Sequence, residues 1–390
     1  MKKYIIVTGA SFTNKGIQAM TYITADEIAK RWPDCQMLIE SRKVRKTGIE
    51  EIDNFKFGLF AGMEKFLLPM HPQKKHEIMS NTEALIDISG YNTGSDWSEK
   101  SNIYYIKTRL IDPKKYNIPV YLMPQSFGPF DFKGLFGKII MLAFKHYLPY
   151  AKLIMAREND GKRCLTDSFG LKNVIKENDL VLQNKGINTA NVFRNNHILK
   201  VPEVASHKCV AVIPNVKNER NRKINDMMKV YQLLINKLIH AGFQVYILHH
   251  SPEDAGMCKD IKECFFNDEE HVEVILQELD CLEFDVFVSK MDFIVASRYH
   301  AIVHAFRRHV PALVIGWAVK YYELLKLAGQ EPYHFDSREP IKEEAICNAM
   351  EKMINNYKNE SKKIRKVVDE VQKENVFDYI KLKRELNGVQ

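Results

Sequence analysis

The chain has 390 residues, 45% of them hydrophobic and 27% charged, and a formal net charge of +8. That length accommodates two domains of ordinary size, and the composition is globular rather than disordered or fibrous. The longest uninterrupted apolar run, residues 139–144, falls far short of the ~20 residues a spanning helix needs. The seven cysteines form no Cys-x-x-Cys pair, so neither a zinc nor a disulfide framework is expected. The first residues carry no apolar core of signal-peptide length, which leaves a cytoplasmic protein as the expectation. The surplus of positive charge suits anionic partners, but the basic residues are dispersed, and nucleic acid is not among the partners expected.

The first element is a strand, YIIVTG, running into a helix whose Ile17, Met20, Ile23 and Ile28 keep helical spacing. A strand, a tight turn and a helix invite comparison with dinucleotide-binding units, which need several glycines in the turn. Only Gly9 and Gly16 occur here, and the next strand, CQMLIES, offers a single Glu40 before basic residues. The only Tyr-x-x-x-Lys pairs, Tyr322/Lys326 and Tyr379/Lys383, come far too late for a short-chain dehydrogenase. A nicotinamide cofactor is therefore not expected.

Four further strands follow, FKFGLF, ALIDISG, PVYLMPQS and KLIMARE, mostly separated by amphipathic stretches. The alternation implies a doubly wound parallel sheet. The segment 132–148 carries apolar residues with Lys133, Lys138 and Lys145. A core helix with snorkelling lysines is the favoured expectation, and a peripheral membrane contact the alternative. Residues 1–183 make the first domain and the polar segment 184–207 the connection. A second Rossmann-like domain, residues 208–339, restarts with CVAVIPN, a helix near 223–241, FQVYILHHS, VEVIL, DFIVASR and PALVIGW. Residues 340–390 read as a helical extension folding back as a brace. The fold expected is α/β: two facing Rossmann-like domains with a cleft between them, the GT-B architecture.

Ligands of open α/β sheets bind beyond the carboxyl ends of the strands. There, DFIVASR delivers Ser297, Arg298 and His300 as a helix begins, where unpaired N–H groups welcome an anion. Arg298 offers a bidentate fork and His300 a proton donor, while a helix cap and an ordinary salt bridge are the bland alternative. His300 and His304 lie one turn apart without a Glu between them or an obvious third ligand, so no metal is expected. PVYLMPQS ends in a Pro/Gly-rich turn expected to expose Gln125 and Ser126. Arg157 ends the next strand, and Lys320 begins a helix three residues after Trp317.

Taken together, Asn14-x-Gly16-x-x-Ala19, Gln125-Ser126-Phe127-Gly128-Pro129, Arg157-Glu158, Ser297-Arg298-x-His300 and Trp317-x-x-Lys320 resemble the polysaccharide pyruvyl transferase family. The resemblance runs from about residue 8 to about residue 330. It implies transfer of pyruvate from phosphoenolpyruvate, a co-substrate rather than a cofactor, to a saccharide as a cyclic ketal. It places Arg157, Arg298, His300 and Lys320 around the donor, with Ser297 beside them and His300 and Arg298 as catalytic residues. Asn14, Gly16, Gln125, Ser126 and Trp317 would line the acceptor side of the cleft. Tyr91 and Asn92 stand where many relatives carry Gly or acidic residues. The acceptor expected is a surface glycan, capsule or exopolysaccharide, or its polyprenyl-diphosphate-linked precursor at the inner face of the cell membrane. A GT-B glycosyltransferase with a nucleotide-sugar donor and a non-catalytic saccharide-binding protein are the rivals. The first leaves Arg157, Arg298 and Lys320 without a role, and the second has no need of clustered cations.

Overall fold

The computed structural model describes residues 2–41, 54–61, 72–206, 208–221 and 224–388. Residue 207, where the connection was expected to end, and residue 223, where a helix was expected to begin, lie outside them. Strands β1 (Lys3–Ala10), β2 (Cys35–Ser41), β3 (Gly58–Ala61), β4 (Thr82–Asp87), β5 (Val120–Gln125), β6 (Leu153–Ala156) and β7 (Val174–Lys176) form one sheet. Their order is β3-β2-β1-β4-β5-β6-β7, and every pairing is parallel. A second parallel sheet takes the order β10-β9-β8-β11-β12-β13. Its strands are β8 (Cys209–Ile213), β9 (Gln244–Leu248), β10 (Val272–Ile275), β11 (Phe293–Ala296), β12 (Ala312–Gly316) and β13 (His334–Asp336). Helices cover both faces of each sheet, so β4, β5, β8, β11 and β12 are buried along their whole length.

Strand order reverses between β1 and β4 in the first sheet and between β8 and β11 in the second. Such reversals open a crevice at the strand ends. The helix Lys15–Arg31 packs against the second unit's helices Cys281–Ser289 and Tyr299–Arg307. That position explains why nearly all of it is buried, including Lys15, Gln18, Asp26 and Glu27. Lys15 donates to Glu278 at 2.8 Å, and Gln18 accepts the Cys281 N–H at 2.8 Å, so polar bonds cross between the units.

The connecting segment is tied down at one stretch, around the buried Val192 and Phe193, and largely exposed from 194 to 200. Asn188 and Asn191 both bond Asp26, and Phe193 packs on Tyr22 and Phe55. At the other end, the helix Glu343–Val371 lies against the second unit's helix Met227–His240. The chain then returns to the first unit, where the Tyr121 hydroxyl donates to Lys381 O at 2.8 Å and Glu83 accepts from Arg384 N at 2.9 Å.

The segment 132–148 corrects an expectation. It forms the helix Gly134–Tyr147, but only Gly137, Ile140 and Phe144 of it are buried. Gly137 sits directly against Phe132, where an added Cβ would lie 2.8 Å from the Phe132 Cβ. Ile140 and Phe144 join the core of the first unit as expected, but the opposite side is apolar and faces solvent, so the helix is covered on one side only.

Candidate active site

In the first turn the free N–H groups of the helix are taken by a side chain of the turn itself. Asn14 caps the helix Lys15–Arg31, its amide oxygen accepting from Gly16 N at 3.1 Å and Ile17 N at 3.2 Å. The N–H groups that would face a pyrophosphate are thereby used. Gly16 serves a different need. A Cβ there would lie 2.1 Å from His300 Cγ, so only glycine lets the imidazole of the second unit approach the first. Gly9, at φ +83°, has the backbone and hydroxyl of Ser89 against the place of a Cβ, at 2.5–2.6 Å.

At the end of β11 the three residues of the Ser-Arg-x-His run separate. Ser297 points into the core: its hydroxyl pairs with Tyr231 at 2.7 Å, and its carbonyl accepts from Asn215 and Tyr321. It neither faces the cleft nor caps the helix, whose N-cap is Arg298. The Arg298 guanidinium is held by Asp254 through two bonds of 2.7 and 2.6 Å and by Glu253 at 2.6 Å. Burial works against its charge, yet these two carboxylates hold its pKa above the ordinary value. The salt-bridge alternative therefore describes Arg298 in this structure. His300 lies at the first turn of the helix, its Nε2 3.7 Å from Asp179 and without a hydrogen-bond partner. Burial pushes its pKa down to about 3; Asp179 opposes the shift, whereas Arg157 and Lys320 add to it. The ring is neutral at pH 7. His304 is buried beneath the helix with Nδ1 on Asp285 at 3.0 Å.

Gln125 also departs from expectation. It is fully buried, donating at 3.1 Å to Asp87, a carboxylate that also accepts from Thr8 and Ser89 at 2.7 Å. A buried anion at the β4 end needs those donors, so Gln125 turns inward and does not line the cleft. Ser126 does line it, donating to Glu158 at 2.9 Å and accepting from Arg157 at 2.8 Å. Arg157 is buried, bonded to Glu158 at 2.9 Å and Asp179 at 2.7 Å, and stacked 4.3 Å from the centroid of the Tyr299 ring.

Lys320 differs from both arginines. Its ammonium makes no ion pair among the described residues and sits 5.4–5.9 Å from the ring centroids of Tyr91, Tyr299, Trp317 and Tyr321. Burial, with the nearby Arg157, lowers its pKa to about 8, Glu158 opposing. It lines a cavity of about 490 Å³ between the units, together with Tyr91, Ser126, Pro129, Trp317 and Arg338. It also lines a narrow crevice shared with Arg157, Asp179 and Tyr299. Neither Arg298 nor His300 lines these two spaces. Sequence reasoning noted Tyr91 only as a departure from the family, and missed Tyr299 as a wall and Asp179, Glu253 and Asp254 as partners; the signal for the acidic partners was no more than their place beyond strand ends. Among the described residues, no three His, Cys, Asp or Glu side chains are grouped to hold a metal ion.

Comparison with known proteins adds a family. The model of a family described as polysaccharide pyruvyl transferase matches residues 14–318. No curated protein sequence matches the chain significantly. Among solved structures, UDP-GlcNAc 2-epimerase from Neisseria meningitidis, bound to UDP-GlcNAc, is similar at 12% identity and TM-score 0.55, covering 95% of this chain and 100% of that one. The UDP-GlcNAc 2-epimerase from Methanocaldococcus jannaschii gives 13% identity and TM-score 0.53, covering 95% and 100%. The glycotransferase of kitacinnamycin gives 9% identity and TM-score 0.55, covering 96% of each chain. At these identities the likeness is one of fold, and the fold is GT-B.

Proposed function

The chain belongs to the polysaccharide pyruvyl transferase family, and from that premise we propose that it moves pyruvate from phosphoenolpyruvate to a hexose of a bacterial surface glycan or its lipid-linked precursor. The observation that carries this reading is Lys320, a cation at the cleft cavity that makes no ion pair among the described residues. A ligand bearing a phosphate and a carboxylate supplies the missing anions. Arg157 and Arg298, each held by two carboxylates, are positioning residues in this scheme. Arg157 fixes Asp179 beside His300 and stacks on Tyr299. Arg298 anchors the start of the helix that carries His300, and Ser297 ties that strand end to the core.

The chemistry requires a proton on the C3 methylene, attack of one sugar hydroxyl on C2, loss of phosphate, and closure by a second hydroxyl. The two hydroxyl protons balance the step, one replacing the proton given to carbon and the other leaving with phosphate. The general acid in this scheme is His300, which lies behind the crevice wall, its Nε2 3.7 Å from the Asp179 that lines the crevice. Neutral in the free protein, it gains its proton when the anionic donor arrives, because a negative charge nearby raises an imidazole pKa. Tyr91, Ser126 and Trp317 offer an aromatic and hydroxyl surface for the acceptor sugar.

The UDP-GlcNAc bound to one structural neighbour and the glycotransferase among the others favour a second reading, a GT-B glycosyltransferase. Phosphate release from phosphoenolpyruvate, measured with and without candidate saccharide acceptors, distinguishes the two. The proposal expects acceptor-dependent release. Release of UDP from a UDP-sugar, with none of phosphate from phosphoenolpyruvate, overturns it.

A further inference from the structure

The exposed side of the helix Gly134–Tyr147 plays no part in the cleft chemistry, and its composition is unusual for a surface exposed to water. Leu135 is 79% exposed, Leu142 66%, Ile139 52% and Phe136 47%. At about 100° per residue, Leu135, Ile139 and Leu142 fall within about 60° of one another. They point away from Gly137, Ile140 and Phe144, which bind the helix to its domain. Lys138 and Lys145 share one flank of this stripe, and Lys133 stands just before it. All three lysines are exposed, without an ion pair among the described residues, and residues 132–149 contain no Asp or Glu.

We propose that this helix is a docking surface for an anionic lipid bilayer. A contiguous apolar stripe flanked by lysines is the pattern of a helix lying in the headgroup plane, apolar side chains inserted and ammonium groups on lipid phosphates. Charge complementarity selects this occupant over a second copy of the chain. An antiparallel two-fold contact through the stripe would bring the lysines of two helices together, with no acidic residue in the segment to pair them. The helix directly follows the Phe127–Pro129 turn that lines the cleft cavity, so docking would hold that cavity near the membrane surface. The inference stands on the exposed side chains alone and does not depend on the donor or the reaction.

The test is co-sedimentation of the full chain with vesicles of phosphatidylcholine, and of phosphatidylcholine containing phosphatidylglycerol. The wild-type protein should sediment with the anionic vesicles and be released by salt. A variant carrying Leu135→Ser, Ile139→Ser and Leu142→Ser should lose binding about ten-fold or more, and its exposed substitutions should leave the melting temperature unchanged. A second variant, with Lys133→Gln, Lys138→Gln and Lys145→Gln, should lose the preference for phosphatidylglycerol. Wild-type protein that ignores anionic vesicles, or a serine variant that binds them equally well, overturns the proposal. So does a dimer in lipid-free solution that the serine substitutions dissociate.

Discussion

Replacing Lys320 by Met should stabilise the protein and weaken its grip on the donor. The methionine keeps an apolar stem among Tyr91, Tyr299, Trp317 and Tyr321 but removes the charge. Burial that lowers the lysine from 10.5 to about 8 destabilises the fold at pH 7 by up to about 3 kcal/mol, less whatever solvent screens at the cavity mouth. Denaturant unfolding at pH 7 should therefore find Lys320→Met more stable by roughly 1–3 kcal/mol. The difference should shrink between pH 8 and 10.5. There the unfolded wild-type chain binds more protons than the folded one, so wild-type stability rises with pH. Donor affinity should move the other way. A hydrogen bond to a charged group contributes about 1.5–3 kcal/mol, so calorimetry with phosphoenolpyruvate should show affinity falling about 10- to 150-fold. Wild-type affinity itself should decline as pH rises through 8, and that decline should be absent in the variant. A Lys320→Met protein that is less stable and binds phosphoenolpyruvate normally would refute the reasoning.

Three further substitutions separate catalysis from architecture. His300→Gln should keep donor binding while turnover falls about 10²–10⁴-fold, and the proton uptake that accompanies binding in buffers of different ionisation enthalpy should vanish. Because burial holds folded His300 near pKa 3, the wild-type protein should also lose stability as pH falls from 6.5 towards 3, and the glutamine variant should lose less. Gly16→Ala places a methyl 2.1 Å from His300 Cγ, so turnover should drop although Gly16 holds no reactive group; unchanged turnover would show that the imidazole position is unimportant. Arg298→Ala leaves the fully buried Asp254 without its partner, which should cost about 3–5 kcal/mol of stability; a stable variant that has lost only donor binding would return Arg298 to the donor site.

The sheets were readable because strands covered on both faces form continuous apolar runs, such as VYLM in β5 and FIVA in β11. Strands β7 and β13 went unread because three residues, Val174–Lys176 and His334–Asp336, are too few to show a period. The site was legible in its residue types but not in its pairing. Asp254 lies 44 residues before Arg298, and Asp179 lies 22 after Arg157. Neither distance follows from a motif, so two guanidiniums that the sequence offers to a donor are in fact held by carboxylates. Gln125 misled for a related reason. A turn rich in Pro and Gly signals exposure, whereas the buried Asp87 beside it demands a donor. The lysines and apolar residues of 132–148 were equally visible, yet which side of that helix packs is set by Ile140 and Phe144 meeting the core of the first unit, which the spacing does not show.

Donor identity decides what this cleft does, and calorimetry of the wild-type protein against phosphoenolpyruvate, UDP-GlcNAc and UDP-glucose reads it out. Phosphoenolpyruvate should bind and neither UDP-sugar should. Binding of a UDP-sugar with no heat from phosphoenolpyruvate would contradict the proposed donor.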